Sequence, residues 1–434
     1  MSKITVFVLL AALSFSGENT LTLKQCVETG FANSLELKTA EETMRQAEFT
    51  AKRYFAPFLP AVDFSFANTF LGFDDAGRDI VLGTVNPHTY NSSLSVSYNF
   101  YNMFKDKDRY SYYQKKYFEA EAAFASKKQE AAYGITSSYY EVLNSEKTVQ
   151  VREKALSQRK EYLKLSESLF RSGIKSKSDY LNAQIQIKKS EVALWDAEND
   201  LKTSRAGLNT RLGIPPEKET LLQDDIEYLA PQYTLEKLIQ AVFDGNFDWK
   251  KALLARDAVL ISTALEERNL WPVVRLDGAY ALSLSSYLLG NAEWTHAGRL
   301  DQNSDWGLKL SVTYPLFDGE VASLKYELAK SALAVENYSL ETLRRDLLEK
   351  AVVYLSNNIK VFSELNSYRE QVELAKESME LIKNRYQTGI ASFLDLTDAE
   401  LNYISAEIGY YQMIYTFKTQ KYNLDRLAGV KLFW

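Results

Sequence analysis

The sequence RYQTGIASFLDLTDAE, at residues 385–400, decides the fold because a related sequence, SGIKSKSDYLNA, precedes it at residues 172–183 with an offset of 216. The two stretches share five residues at the same spacing: Gly173, Ile174, Ser176, Asp179 and Ala183 correspond to Gly389, Ile390, Ser392, Asp395 and Ala399. Glycine commonly ends a helix in the left-handed conformation, and serine with a nearby acidic residue commonly begins one. The stretches therefore predict two matching turns between helices.

The similarity extends outward from these turns and indicates an internal duplication. Residues 94–98 match residues 310–314 at the same offset, and Gly213 matches Gly429. Nearer the N-terminus the offset is 212, where Pro60 matches Pro272. We predict a signal peptide at 1–17, a first repeat at 18–213, a connection at 214–233 and a second repeat at 234–434.

Long helices are predicted by the distribution of proline. All eight prolines lie outside residues 88–214 and 316–434. Proline in a helix interior costs about 3 kcal/mol, so tracts without it favour helices. We expect helices near 22–58, 104–170 and 179–212, and again near 235–270, 318–386 and 396–428. In each repeat the two short helices together match the long one, which spans ~100 Å at ~1.5 Å per residue.

Alternating apolar and polar residues predict a β-hairpin in each repeat, at residues 61–100 and 273–316. In the first strand Val62, Phe64 and Phe66 alternate with Asp63 and Ser65. Strands of about 10 residues with one apolar face are typical of transmembrane barrels, although a soluble hairpin packed on a helix would show the same pattern. Four strands cannot close a barrel, and an open edge cannot face lipid. We therefore expect several chains to share one barrel.

Composition and charge exclude several classes of function. The net charge is −6, and the acidic and basic residues are interspersed along the sequence, so no basic stripe is available for nucleic acid. One cysteine and two histidines offer no disulfide and no Cys/His metal cluster, and we expect no cofactor and no enzyme activity. Lys3 followed by about 12 apolar residues is typical of a signal peptide, although a buried N-terminal strand or helix is an alternative.

The two turns resemble the turns of the TolC-type outer-membrane efflux and secretion channels. The sequence YPLFDG at residues 314–319 resembles the segment that follows the second hairpin in the same family. The resemblance covers essentially the whole mature chain. It implies a mainly α-helical trimer in which duplicated helical hairpins form a tunnel and four strands per chain build a 12-stranded outer-membrane barrel. It also implies a periplasmic adaptor and an inner-membrane pump as partners, with the chain as exit duct. The alternative is an exported structural or adhesive helical rod that displays surface loops.

The resemblance also assigns roles to the turn residues. Asp395 and Asp398 correspond to acidic rings that narrow the periplasmic entrance, and Asp179 and Tyr386 to a latch that holds it closed. The adaptor would contact the helical tips, which comprise Ser172, Gly173, Ile174, Thr388, Gly389 and Ile390. Capping of the following helix is the structural alternative for the aspartates. The family's basic latch residue is replaced by Ala391 here, and Arg385 and Lys175 are basic residues nearby.

Overall fold

The computed structural model describes residues 20–70, 88–224, 226–228, 230, 233–269, 271–286, 300–314 and 316–431. The predicted signal peptide lies outside these residues. The helices within them are α1 (Leu23–Asn33), α2 (Leu35–Arg53), α3 (Lys105–Arg171), α4 (Lys177–Leu212), α5 (Leu235–Gly245), α6 (Phe247–Arg268), α7 (Val321–Gln387) and α8 (Phe393–Leu427), with a short 3₁₀ turn at Ala56–Phe58. The strands are β1 (Ala61–Phe70), β2 (His88–Tyr101), β3 (Val273–Ser286) and β4 (Leu300–Thr313).

The four strands form one antiparallel sheet in the order β1-β2-β3-β4. Their register places Phe64, Leu94, Tyr280 and Trp306 in one row across the sheet. The side chains of this row are exposed, Phe64 by 72% and Trp306 by 78%. The neighbouring row consists of smaller or polar residues, among them Ser65 and Ser93, whose hydroxyls lie 2.8 Å apart. The sheet therefore has an apolar face without protein cover, and β1 and β4 are its edges.

The predicted long helices are confirmed, since α3 and α7 each contain 67 residues. Among the described residues, no helix is both long and apolar enough to cross a membrane. The chain divides into two compact units, one formed by residues 1–41, 123–249 and 343–434 and the other by residues 42–122 and 250–342. Each unit contains segments of both repeats. The second unit contains the sheet, and the first contains the turns at residues 172–176 and 388–392.

The single helices expected near 22–58 and 235–270 are each two helices in the structure. Ser34 and Asn246 have extended backbones at the breaks, with ψ of 117° and 127°. The side-chain amide of Asn33 donates to the carbonyl of Leu212 at 2.9 Å, and the side-chain amide of Asn246 donates to the carbonyl of Leu427 at 3.0 Å. Each break thus satisfies a carbonyl that α4 or α8 leaves unpaired at its C-terminal end.

The C-terminal ends of α4 and α8 show the same duplication. Gly213 and Gly429 have φ of +67° and +71°, a conformation that L side chains rarely adopt. A Cβ on Gly213 would collide with Asn33, and one on Gly429 with the backbone of Gly245. The chain therefore needs glycine at both positions, because each helix end packs directly against a helix break.

Candidate functional site

The turns that follow α3 and α7 have the same hydrogen-bonding pattern. Gly173 and Gly389 have φ of +73° and +80°, which confirms the predicted left-handed helix ends. The amide of Ile174 donates to the carbonyl of Leu169, and that of Ile390 donates to Arg385, both at 2.9 Å. Bonds of this span are those of a Schellman motif. They satisfy the carbonyls at the end of each long helix and hold the two turns in the same conformation.

A capping box begins the next helix in each turn. Asp179 donates its amide to the hydroxyl of Ser176 at 3.2 Å, and Asp395 donates to Ser392 at 3.1 Å. The carboxylates accept the backbone amides of the same serines, at 3.4 and 2.8 Å. The bonds from the backbone and hydroxyl of Ser392 hold the pKa of Asp395 below its usual value, since they favour the charged form. Both aspartates therefore cap helices, as the structural alternative predicts.

Asp398 lies one turn farther along α8, and its side chain is exposed, as is that of Asp395. Both carboxylates are thus open to solvent in a single chain. The tip residues are also accessible, because Ile174 is 60% exposed and Ile390 is 70% exposed. The two turns adjoin each other, since a Cβ placed on Gly389 would lie 3.4 Å from Cγ2 of Ile174. The tips therefore present one continuous surface with two exposed isoleucines.

Tyr386 lies in the core beneath the two turns and has no exposed surface. Its hydroxyl lies 2.5 Å from the hydroxyl of Ser166 in α3. Its ring meets that of Phe393 edge-on, with 5.9 Å between the ring centroids. Burial raises the pKa of Tyr386, and the charge of Asp179 adds to that rise. The structure thus brings Tyr386 near Asp179 but pairs its hydroxyl with Ser166.

Lys175 connects the two turns. Its Nζ donates to the carbonyl of Ala391 at 2.8 Å and to that of Gly389 at 3.4 Å. The same ammonium lies 5.3 Å from the centroid of the Tyr386 ring. Hydrogen bonds from a charged ammonium to carbonyl oxygens are stronger than those between neutral groups. The family's basic residue is absent at position 391, and the lysine of the first turn contacts the main chain at that position instead.

We expect Lys175→Met to loosen the second turn while keeping the packing of the aliphatic stem. Loss of the ammonium's hydrogen bonds should raise amide hydrogen exchange at Gly389 and Ala391 by roughly fivefold, or about 1 kcal/mol for a half-exposed charged donor. Lys177→Met is the matched control, since Lys177 is exposed at the start of α4. Equal exchange in the two variants would show that Lys175 does not hold the turn.

Sequence reasoning missed a buried ion pair above the turns. Arg159 of α3 donates its Nε to Oε2 of Glu400 in α8 at 3.0 Å, and the residues are 7% and 2% exposed. Arg159 also donates to Oγ of Ser190 in α4 at 2.7 Å. Glu400 lies four residues after Leu396 and three before Tyr403, so it shares the buried face of α8 with them. A charged residue at a position where the helical spacing predicts a buried side chain was the signal that could have indicated this ion pair.

The residues described by the structure include no group of His, Cys, Asp and Glu side chains that could hold a metal ion. Buried tyrosines occur throughout the helices, and burial raises the pKa of Tyr162 and of Tyr403 to about 12. These hydroxyls therefore stay protonated over the physiological range. The chemistry of the site consists of hydrogen bonds, packing and exposed carboxylates.

An uncovered apolar face on a four-stranded antiparallel sheet, in a chain of long paired helices with matching turns, defines the class of outer-membrane channel subunits. The chain belongs to the outer membrane efflux protein family, which matches residues 24–214 and 238–430. Outer membrane protein TolC of Escherichia coli strain K12 is 20% identical over 433 residues, covering 97% of this chain and 85% of TolC.

Two further comparisons agree. Nodulation protein T of Rhizobium leguminosarum bv. viciae is 23% identical over 394 residues, covering 89% of this chain and 77% of that protein. The crystal structure of the outer membrane protein VceC from Vibrio cholerae shares the fold with a TM-score of 0.77 and 16% identity, covering 94% of this chain and 96% of VceC. Family membership confirms an efflux channel of the outer membrane and not an enzyme, and it does not favour an adhesive rod.

Proposed function

We propose that this chain is one subunit of a homotrimer that serves as the exit duct of a tripartite efflux or type I secretion system. The observation that carries the proposal is the sheet, whose apolar face is uncovered and whose edges are β1 and β4. A sheet edge exposed to lipid would leave backbone groups unsatisfied. Three copies would supply 12 strands, which is enough to close a barrel around a channel.

The proposed gate lies at the start of α8, with Asp395 and Asp398 as the constriction. Three-fold symmetry would bring up to six of these carboxylates around one axis. Rings of carboxylates in a narrow pore attract cations and repel anions. Support comes from the capping box, which fixes the position of Asp395 and keeps it charged. Asp179 and Tyr386 would belong to the latch that holds this end closed, together with Lys175.

The proposed docking surface for a periplasmic adaptor consists of the two tips. Its members are Ser172, Gly173, Ile174, Thr388, Gly389 and Ile390. Exposed isoleucines on adjoining turns support this role, because paired apolar side chains at an accessible end favour contact with another protein. The adaptor would connect the duct to an inner-membrane pump, which would select the cargo. The helices between tips and sheet would then form a tunnel across the periplasm.

The gate is tested by Asp395→Asn combined with Asp398→Asn, recorded as single channels in planar bilayers. We expect loss of block by divalent cations applied at the tip side and a changed conductance with weaker preference for cations, because the charges that attract cations are removed. In the wild-type channel, block should persist as pH falls until the lowered pKa of Asp395 is passed. Glu198→Gln, at an exposed position on α4, is the control. Unchanged conductance and unchanged block in the double variant would rule out this gate.

A further inference from the structure

A basic cleft lies between α3, α4 and α8 in the first compact unit. It has a volume of about 240 Å³, and its polar lining includes Arg152, Arg159, Lys189 and Ser190. The remainder is lined by Gln186 and by the aliphatic side chains of Ala155, Ala193, Leu401 and Ile404. Three of the lining side chains are cations and none is a carboxylate. A partly enclosed space with this excess of positive charge favours an anionic ligand.

Arg159 forms the fixed part of the cleft. It is buried, and its guanidinium donates to Glu400 at 3.0 Å, to Oγ of Ser190 at 2.7 Å and to the carbonyl of Gln186 at 3.1 Å. Because α4 and α8 supply these three acceptors, the guanidinium of Arg159 in α3 is held in one orientation. The negative charge of Glu400 compensates the charge of Arg159. That carboxylate contacts Nε of Arg159 and is not among the residues that line the cleft.

Arg152 and Lys189 have no such compensation. Arg152 is half-buried, and burial followed by repulsion from Arg159 lowers its pKa. Within the described part of the chain, no carboxylate lies within ion-pairing distance of either Arg152 or Lys189. Arg152 and Arg159 are like charges beside a partly enclosed space, which is unfavourable by itself. An anion bound beside Arg152 would reduce this repulsion.

We propose that the cleft binds a small oxyanion, a carboxylate or a phosphate group, between Arg152 and Lys189. A guanidinium presents paired N–H donors that match two oxygens of either group, whereas a spherical anion such as chloride can use only part of this geometry. The hydroxyl of Ser190 lies at the same cleft, and the aliphatic lining suits a short carbon chain. The ligand would hold α3, α4 and α8 together. This inference does not depend on the proposed gate.

The test is the thermal unfolding of the full-length protein in detergent, titrated with phosphate in one series and with succinate in another. Sodium chloride keeps the ionic strength constant throughout. A ligand that binds only the folded state stabilises it by RT ln(1 + L/Kd), where L is the free ligand concentration, so the unfolding temperature stays level well below Kd and rises with the logarithm of the ligand concentration above it. We expect such a rise with at least one anion, and the series with the lower fitted Kd distinguishes a phosphate from a carboxylate ligand.

Arg152→Gln should raise the fitted Kd at least tenfold, and Lys189→Gln should raise it as well. Without oxyanion, Arg152→Gln should unfold at or above the wild-type temperature, because it removes a repulsion from Arg159. Lys164→Gln, an exposed position on the same helix, should bind as the wild type does. The proposal is overturned if neither anion raises the unfolding temperature above that in sodium chloride of equal ionic strength, or if Arg152→Gln binds with unchanged affinity.

Discussion

Arg159→Met is expected to destabilise the folded protein by about 3–5 kcal/mol, the usual cost of removing one partner of a buried ion pair. Glu400 would keep its charge in a site that is 2% exposed, and the bond to Ser190 would be lost as well. Oε1 of Glu400 already lacks a hydrogen-bond partner among the described residues, and the loss of Arg159 would remove the hydrogen bond to Oε2 as well. The measurement is the free energy of unfolding in denaturant, with the protein in detergent.

The double variant Arg159→Met with Glu400→Leu distinguishes a stranded charge from lost packing. If the unpaired carboxylate causes the loss, the double variant should recover most of it, because apolar side chains of similar size replace the whole pair. Burial raises the pKa of Glu400, so the folded state favours its protonated form. The defect of Arg159→Met should accordingly shrink as pH falls and the carboxyl takes up a proton. Equal instability of single and double variants at all pH values would contradict this account.

Gly429→Ala is expected to destabilise the protein by about 2–5 kcal/mol through two separate effects. The left-handed conformation costs a non-glycine residue ~1–2 kcal/mol. The added Cβ would also meet the carbon and oxygen of the Gly245 carbonyl, and forced backbone shifts add roughly 1–3 kcal/mol. Denaturant unfolding measures the sum.

Two other glycines separate these effects. Gly173 has φ of +73° but open space around the position of a Cβ, so Gly173→Ala should cost only the conformational ~1–2 kcal/mol. Gly207 lies inside α4 with a negative φ and open space, and Gly207→Ala should stabilise the protein by up to ~1 kcal/mol. If Gly429→Ala costs no more than Gly173→Ala, the close contact of Gly429, after α8, with Gly245, at the end of α5, is not important for stability.

The sequence predicts the features that depend on local chemistry. Proline-free tracts and periodicity are sufficient for α3 and α7, because a helix of 67 residues leaves a pattern that few alternatives share. The two turns follow from glycine, serine and aspartate at a spacing that local capping requires. The strands follow from alternation of apolar residues, and the register confirms that these residues share a face.

The features that depend on distant contacts could not be predicted in this way. Asn33 and Asn246 end their helices because their side chains bond carbonyls 179 and 181 residues away. The pairing of Lys175 with Ala391 spans 216 residues, and that of Arg159 with Glu400 spans 241. One sequence provides the residue types but not these partners. The site therefore has a predictable backbone and an unpredictable network of side chains.

We propose that one chain provides four strands and that three chains close the barrel. Native mass spectrometry of the intact protein, purified from membranes in detergent, tests it most directly. We expect a mass of three copies of the chain, since 12 strands leave no exposed sheet edge. A folded, membrane-inserted protein with the mass of one chain would contradict the account, because a sheet with edges at β1 and β4 could not then be the complete transmembrane structure.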